Sequence, residues 1–114
     1  MHLGPGVFLN GCHLSAKEFV GVGTFAMVGP GSRVFDADQH PIDADHPERR
    51  GRVEIGDYAW VASDVTVTRG VRIGAHSIVG ARSVVTDDIP DHRVAVGVPA
   101  RPAGSVGDRS VRPF

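Results

Sequence analysis

One cysteine, Cys12, stands in a chain of 114 residues, so no disulfide forms within it. No apolar run approaches the roughly 18 residues that a bilayer-spanning helix needs. Nor does Met1-His2-Leu3-Gly4-Pro5-Gly6 combine the basic start and apolar segment of a secretion signal. With no other address in the sequence, the expected compartment is the cytoplasm. Lys plus Arg total 12 against 13 Asp plus Glu, a net charge of −1. That balance offers nothing to nucleic acid or to an anionic membrane. What the chain has in excess is helix breakers, 15 Gly and 8 Pro, a density that excludes a helix bundle.

The apolar residues follow a six-residue beat. From Ile55 the steps fall on Val61, Val67, Ile73, Val79 and Val85, all β-branched. The next position in each hexad is small or short: Gly56, Ala62, Thr68, Gly74, Gly80, Thr86. The fifth is Ala59, Val65, Val71, Ser77, Ser83 and Ile89. The first half keeps the beat less strictly, with Leu3 and Leu9, a longer step over Ser15 to Gly21, then Val22, Val28 and Val34. A helix would show a period of about 3.6 and an open strand a period of 2. Six means a short strand and a corner, repeated. The branched residue points inward and the small ones let the chain turn. One unit cannot bury its apolar side alone, so units stack into a β-solenoid. Residues 40–54 interrupt the beat. The surrounding polar stretch, 36–50, reads DADQHPIDADHPERR and forms a loop on the scaffold.

At these residues the chain resembles the hexapeptide-repeat acyltransferases, in particular sugar O-acetyltransferases of the maltose, galactoside and nodulation-factor type. The resemblance implies an all-β fold, a left-handed parallel β-helix with three hexads per coil and about four coils. The left hand comes from the resemblance, because the general rule for parallel crossovers favours the right. It further implies one domain over 1–102, with the loop insertion at 40–54, followed by a loose tail at 103–114. Acetyl-CoA is the implied donor, with no resident metal. A homotrimer with active sites between subunits is the implied assembly.

The loop is similar to the family's Asp-x-Asp-x-His-Pro-Ile-Asp pattern, here Asp36, Asp38, His40, Pro41, Ile42 and Asp43, with Arg49 or Arg50 following. By that resemblance His40 is the catalytic base. An imidazole with a pKa near 6.5 can take the proton of an acceptor hydroxyl as it attacks a thioester. Asp36 and Asp38 are the candidates for fixing its tautomer or touching substrate. Asn10, in Val7-Phe8-Leu9-Asn10-Gly11-Cys12, matches an acceptor-site Asn; as a residue tolerant of the left-handed conformation it could equally hold a corner. The longest match, 53–102, places the pantetheine amides at Ser63 and Ala81, and the nucleotide end at Thr86 and Arg101. Trp60 is read as a wall of the cofactor groove or as a packing residue.

Two departures bear on CoA. Asp87 stands where the family usually has Lys, and Arg82 where it often has Gly. The N-terminal helical segment of several relatives is also missing from the sequence. These features support a second reading, a non-catalytic hexapeptide scaffold or fragment. A third is a metal hydrase of the gamma carbonic anhydrase type. His40 and His46 have five residues between them, against four in that family's His pair. His2, His46 and His92 read as surface residues, and His76 as a residue that could line the groove. The acceptor, the acyl chain and the choice of O- or N-transfer stay open.

Overall fold

Strands form where the hexad sets a branched aliphatic between small residues, and they are short because a corner follows at once. The structure is a computed structural model and describes residues 1–111. Its order is β1 (His2–Leu3), β2 (Phe8–Leu9), β3 (His13–Ser15), β4 (Val20–Val22), β5 (Met27–Val28), β6 (Arg33–Phe35), β7 (Val53–Ile55), β8 (Trp60–Val61), β9 (Thr66–Val67), β10 (Arg72–Ile73), β11 (Ile78–Val79), β12 (Val84–Val85), β13 (Arg93–Gly97) and β14 (Ala100–Ser105). No helix occurs among the described residues, and so none long and apolar enough to cross a membrane.

Every third strand pairs in parallel. Face A is β1-β4-β7-β10, face B is β2-β5-β8-β11-β13, and face C is β3-β6-β9-β12. The result is a three-sided, left-handed parallel β-helix of four coils. Ile89, bridged in parallel to Ile73, begins a fifth. The right-handed crossover rule depends on the twist of longer strands feeding a packed crossover. Strands of two or three residues carry little twist, and here the corners set the path. Among the described residues seven non-glycine residues adopt positive φ, six of them at corners: Phe25, Tyr58, Asp64, His76, Arg82 and His92.

Register places the beat residues inside. Val22, Ile55 and Ile73 line up on face A, Val28, Val61, Val79 and Ala95 on face B, and Val34, Val67 and Val85 on face C. All are at most 2% exposed. Fully burying such a side chain is worth about 1.5–3 kcal/mol, an upper estimate. The buried serines at the fifth hexad position have partners. The Ser32 hydroxyl donates to the Ala62 carbonyl (2.7 Å) and accepts from the Val65 amide (3.1 Å). Coil 1 has a neighbour on one side only, and Leu3 and Leu9 are 45% and 38% exposed although their register is inward.

The expected loose tail at 103–114 looks different in its described part. β14 crosses the boundary at 102 and pairs antiparallel with β13. Residues 106–109 then run up the edge between faces A and B. That edge carries a ladder of rings, Phe25, Tyr58, His76 and His92, with successive centroids 5.8, 5.2 and 4.6 Å apart. The Val106 amide donates to the His92 carbonyl, and the Arg109 amide to His76 Nδ1 (2.9 Å). The Arg109 Nε donates to the Tyr58 carbonyl (3.0 Å). Low apolar content did not reveal this strap, because backbone and imidazole hydrogen bonds hold it. Residues 112–114 of the expected tail lie outside the described part.

Candidate active site

Asp36 fixes the base of the loop. Its carboxylate is fully buried and accepts the backbone amides of Lys17 (2.8 Å), Glu18 and Phe19 (both 2.7 Å). Burial by itself raises its pKa, but the amide donors outweigh burial and hold it below the ordinary value of 3.8. Ala37 bridges Arg50, the Asp38 amide donates to the Arg49 carbonyl, and Gly51 donates to the Asp36 carbonyl. Asp38 is ion-paired with Arg69 at 2.7 Å, and Lys17 with Glu48 at 3.0 Å. The loop is therefore clamped to the corners of coils 1 and 3 on the edge between faces C and A.

At the loop's tip the Ile42 amide donates to the His46 carbonyl, and Asp43 Oδ1 lies 2.7 Å from His46 Nδ1. That contact, with the Asp45 amide, holds the Asp43 carboxyl below its ordinary range. His40 is exposed and makes no hydrogen bond among the described residues. Asp36 and Asp38, the expected orienting carboxylates, are both committed elsewhere: one to three amides, the other to Arg69. Neither fixes the His40 tautomer within the chain.

The other expected residues sit on different edges. Asn10, Ser63 and Ala81 follow β2, β8 and β11, on the edge between faces B and C. Among the described residues, the amides of Ser63 and Ala81 donate to no backbone carbonyl. They are 18 residues apart at the same corner, so two free N–H groups repeat at the spacing of one coil. Thr86 follows β12 at the closing end. Arg101, from β14, reaches the same end and is ion-paired with Asp87 at 3.1 Å. Trp60 projects outward from face B, 40% exposed, with the Arg109 guanidinium 5.5 Å from its ring centre. It is therefore not a core residue.

The sequence reading missed the ring ladder. Its signal was present in part: Tyr58 and His76 fall at the same hexad position 18 residues apart. His76 lies in this ladder, on the edge away from the free amides. Below it, Phe8, Phe25, Met27, Tyr58 and Arg109 line a cup of about 330 Å³. No three His, Cys, Asp or Glu side chains converge on a metal-sized point among the described residues.

A parallel β-helix of hexads with one loop carrying an imidazole defines a class, the hexapeptide-repeat transferases. The family model for the bacterial transferase hexapeptide (six repeats) matches residues 52–87. The chain is 34% identical over 119 residues to the galactoside O-acetyltransferase of Lactococcus lactis, covering 100% of this chain and 57% of that protein. In structure it is similar to a hexapeptide-repeat-containing acetyltransferase from Vibrio cholerae complexed with acetyl coenzyme A. The TM-score is 0.73 at 26% identity, over 94% of this chain and 72% of that one. It is also similar to a galactoside acetyltransferase in complex with coenzyme A, with a TM-score of 0.73 at 26% identity, over 96% and 66% of the two chains. Residues 52–87 thus match the hexapeptide-transferase model, and over nearly its whole length the chain is similar to hexapeptide-repeat acetyltransferases. It spans about half the length of the curated relatives it matches.

Proposed function

We propose that the protein is an acetyl-CoA-dependent O-acetyltransferase acting on a hydroxyl of a sugar or glycan, working as a homotrimer. One observation carries the reading. The loop imidazole stands on the edge between faces C and A, while the free corner amides stand on the edge between faces B and C. One chain does not bring them together, but a copy related by rotation can set its His40 loop against its neighbour's amide edge. Such a heterologous contact closes into a ring. The two relatives of known structure described above hold acetyl-CoA or CoA, which supports the donor.

In this reading, the amides of Ser63 and Ala81 receive the pantetheine carbonyls, and Asn10 holds the acceptor. His40 takes the hydroxyl proton as the oxygen attacks the thioester carbon. The tetrahedral oxyanion rests on backbone N–H donors. Its collapse breaks the C–S bond, and the imidazolium returns its proton to the departing CoA thiolate.

Thiol release from acetyl-CoA in the presence of maltose or a galactoside tests the reaction. Subunit mixing tests the shared site. His40→Ala and Ala81→Trp each inactivate alone. Mixed in equal amounts and allowed to exchange, they recover roughly a quarter of native activity, because each site needs an intact loop from one copy and an intact corner from the next. No recovery from exchanged subunits overturns the shared site.

The Asp87–Arg101 pair specifically favours a second reading, a scaffold without CoA. It ties up the cation expected at the nucleotide end. Absence of CoA binding at millimolar concentration would select it.

A further inference from the structure

Arg33 opens β6 on face C, beside the edge that carries Asn10, Ser63 and Ala81. In register it lies between His13 of coil 1 and Thr66 of coil 3. Along the prism it therefore stands in coil 2, between the coil of Asn10 and the coil of Ser63. Its guanidinium folds back toward the corner. One terminal nitrogen donates to the Gly31 carbonyl (3.4 Å) and the other to the Thr66 hydroxyl (3.3 Å).

These are long contacts to neutral oxygens, and among the described residues no carboxylate lies within ion-pair distance of Arg33. Five other cations are neutralised, Lys17 and Arg50 by Glu48, Arg52 by Glu54, Arg69 by Asp38 and Arg101 by Asp87. Arg49, Arg72, Arg82 and Arg93 share with Arg33 the lack of an ion pair among the described residues, but of these only Arg82 lies on the edge of Asn10, Ser63 and Ala81. The corner carboxylate of Asp64 lies over Gly31 and makes no ion pair with the guanidinium. Arg82 follows Ala81 on the same edge, and His13 is the directly paired neighbour. An exposed guanidinium offers a planar fork of donors that matches a carboxylate or phosphate in two parallel bonds. A neutral sugar hydroxyl can accept from it as well, but only an anion gains the charge-assisted, two-bond contact.

We infer that the acceptor carries an anionic group, a carboxylate or a phosphate, and that Arg33 binds it while the hydroxyl to be acylated lies toward His40 of the adjoining copy. This rests on the transfer reading above and narrows its substrate class. The geometry assigns the cation to the acceptor because it lies on the Asn10 side of Ser63. The nucleotide end of the donor lies beyond coil 4.

The experiment compares glucose with glucuronate and with glucose 6-phosphate as acceptors, at constant ionic strength. Expected is a kcat/KM for one or both anionic sugars at least tenfold above that for glucose. In Arg33→Gln the anionic acceptor loses tenfold or more, chiefly in KM, and glucose loses no more than threefold; Arg33→Lys recovers part of the loss. The two anionic arms separate carboxylate from phosphate recognition. Equal use of charged and neutral sugars by the native protein overturns the inference and leaves the transfer reading standing. So does an equal loss for all acceptors in Arg33→Gln. If no acceptor supports thiol release, the transfer reading falls. Titration of the arginine side-chain NMR signals with glucuronate and glucose 6-phosphate then decides: a saturable shift absent from Arg33→Gln supports the anion site, and no shift removes it.

Discussion

Replacing Asp36 with Asn separates an anchoring role from a catalytic one. In the native chain one buried carboxylate satisfies three amides at 2.7–2.8 Å. Hydrogen bonds to a charged group contribute about 1.5–3 kcal/mol each, and they are not additive around one acceptor. Asn keeps one oxygen and turns an NH2 group toward at least one of the same donors. An amide left facing that group costs about 1–3 kcal/mol in desolvation. Together these give an expected loss of about 3 kcal/mol, or a Tm lower by about 12 °C for a chain of this size.

The pH dependence sharpens the test. The folded-state carboxyl is held below the ordinary 3.8. Its contribution is therefore fully present above that value and is lost as pH falls through the lower folded value. The gap between native and Asp36→Asn should be flat from pH 7 to about 5 and close on further acidification. Urea unfolding followed by circular dichroism measures it. A gap under about 1 kcal/mol at pH 7, or one that persists unchanged in acid, would refute the assignment. Any activity lost by the variant should follow its unfolded fraction.

The remaining predictions address the site and the strap. His40→Ala should lower kcat by about a hundred- to ten-thousand-fold with little change in Tm; a loss under threefold refutes the base. Asp87→Lys removes the ion pair to Arg101 and adds a cation, so CoA should bind more tightly by calorimetry, with the gain shrinking in high salt; unchanged affinity removes both residues from the nucleotide end. His76→Phe keeps a ring in the ladder but deletes the acceptor of the Arg109 amide. Hydrogen exchange at that amide should accelerate while the amides of β8 and β11 keep their protection; unaltered exchange would show that the strap is held otherwise.

The coils were legible because their signal is local and repeated. Each of Ile55, Val61, Val67, Ile73, Val79 and Val85 reports the same inward position, and all are at most 2% exposed. The first coil was less legible. Its corner after β2 is one residue shorter than the corner after β5, as the pairings Leu9–Val28 and His13–Arg33 show. Asp36 looked like a site residue because it sits in the motif, but its role depends on amides 17–19 residues earlier, one coil away. No spacing rule reports that contact. The strap escaped for the same reason: its partners, His92, His76 and Tyr58, are 14 to 51 residues away and bind mostly main-chain atoms.

A prism has three edges, and this chain treats them differently. The edge between faces A and B is closed: rings stack along it, and the strap spends its amides on an imidazole and a carbonyl. There His76 Nδ1 accepts from Arg109, whereas His92 Nδ1 faces the carbonyls of Val106 and Gly107 and so must donate. The two stacked imidazoles thus use Nδ1 in opposite roles, one accepting and one donating. The other two edges are left unsatisfied in complementary ways. One offers amide donors and a guanidinium that lack strong acceptors; the other projects a loop whose His40 makes no hydrogen bond among the described residues. Corners of a parallel β-helix recur at the same height on every side. In the proposed trimer, a neighbour at the same height would set coil 2, where the loop departs, beside the coils that carry Asn10, Arg33 and Ser63, so that groups kept apart within one chain would meet.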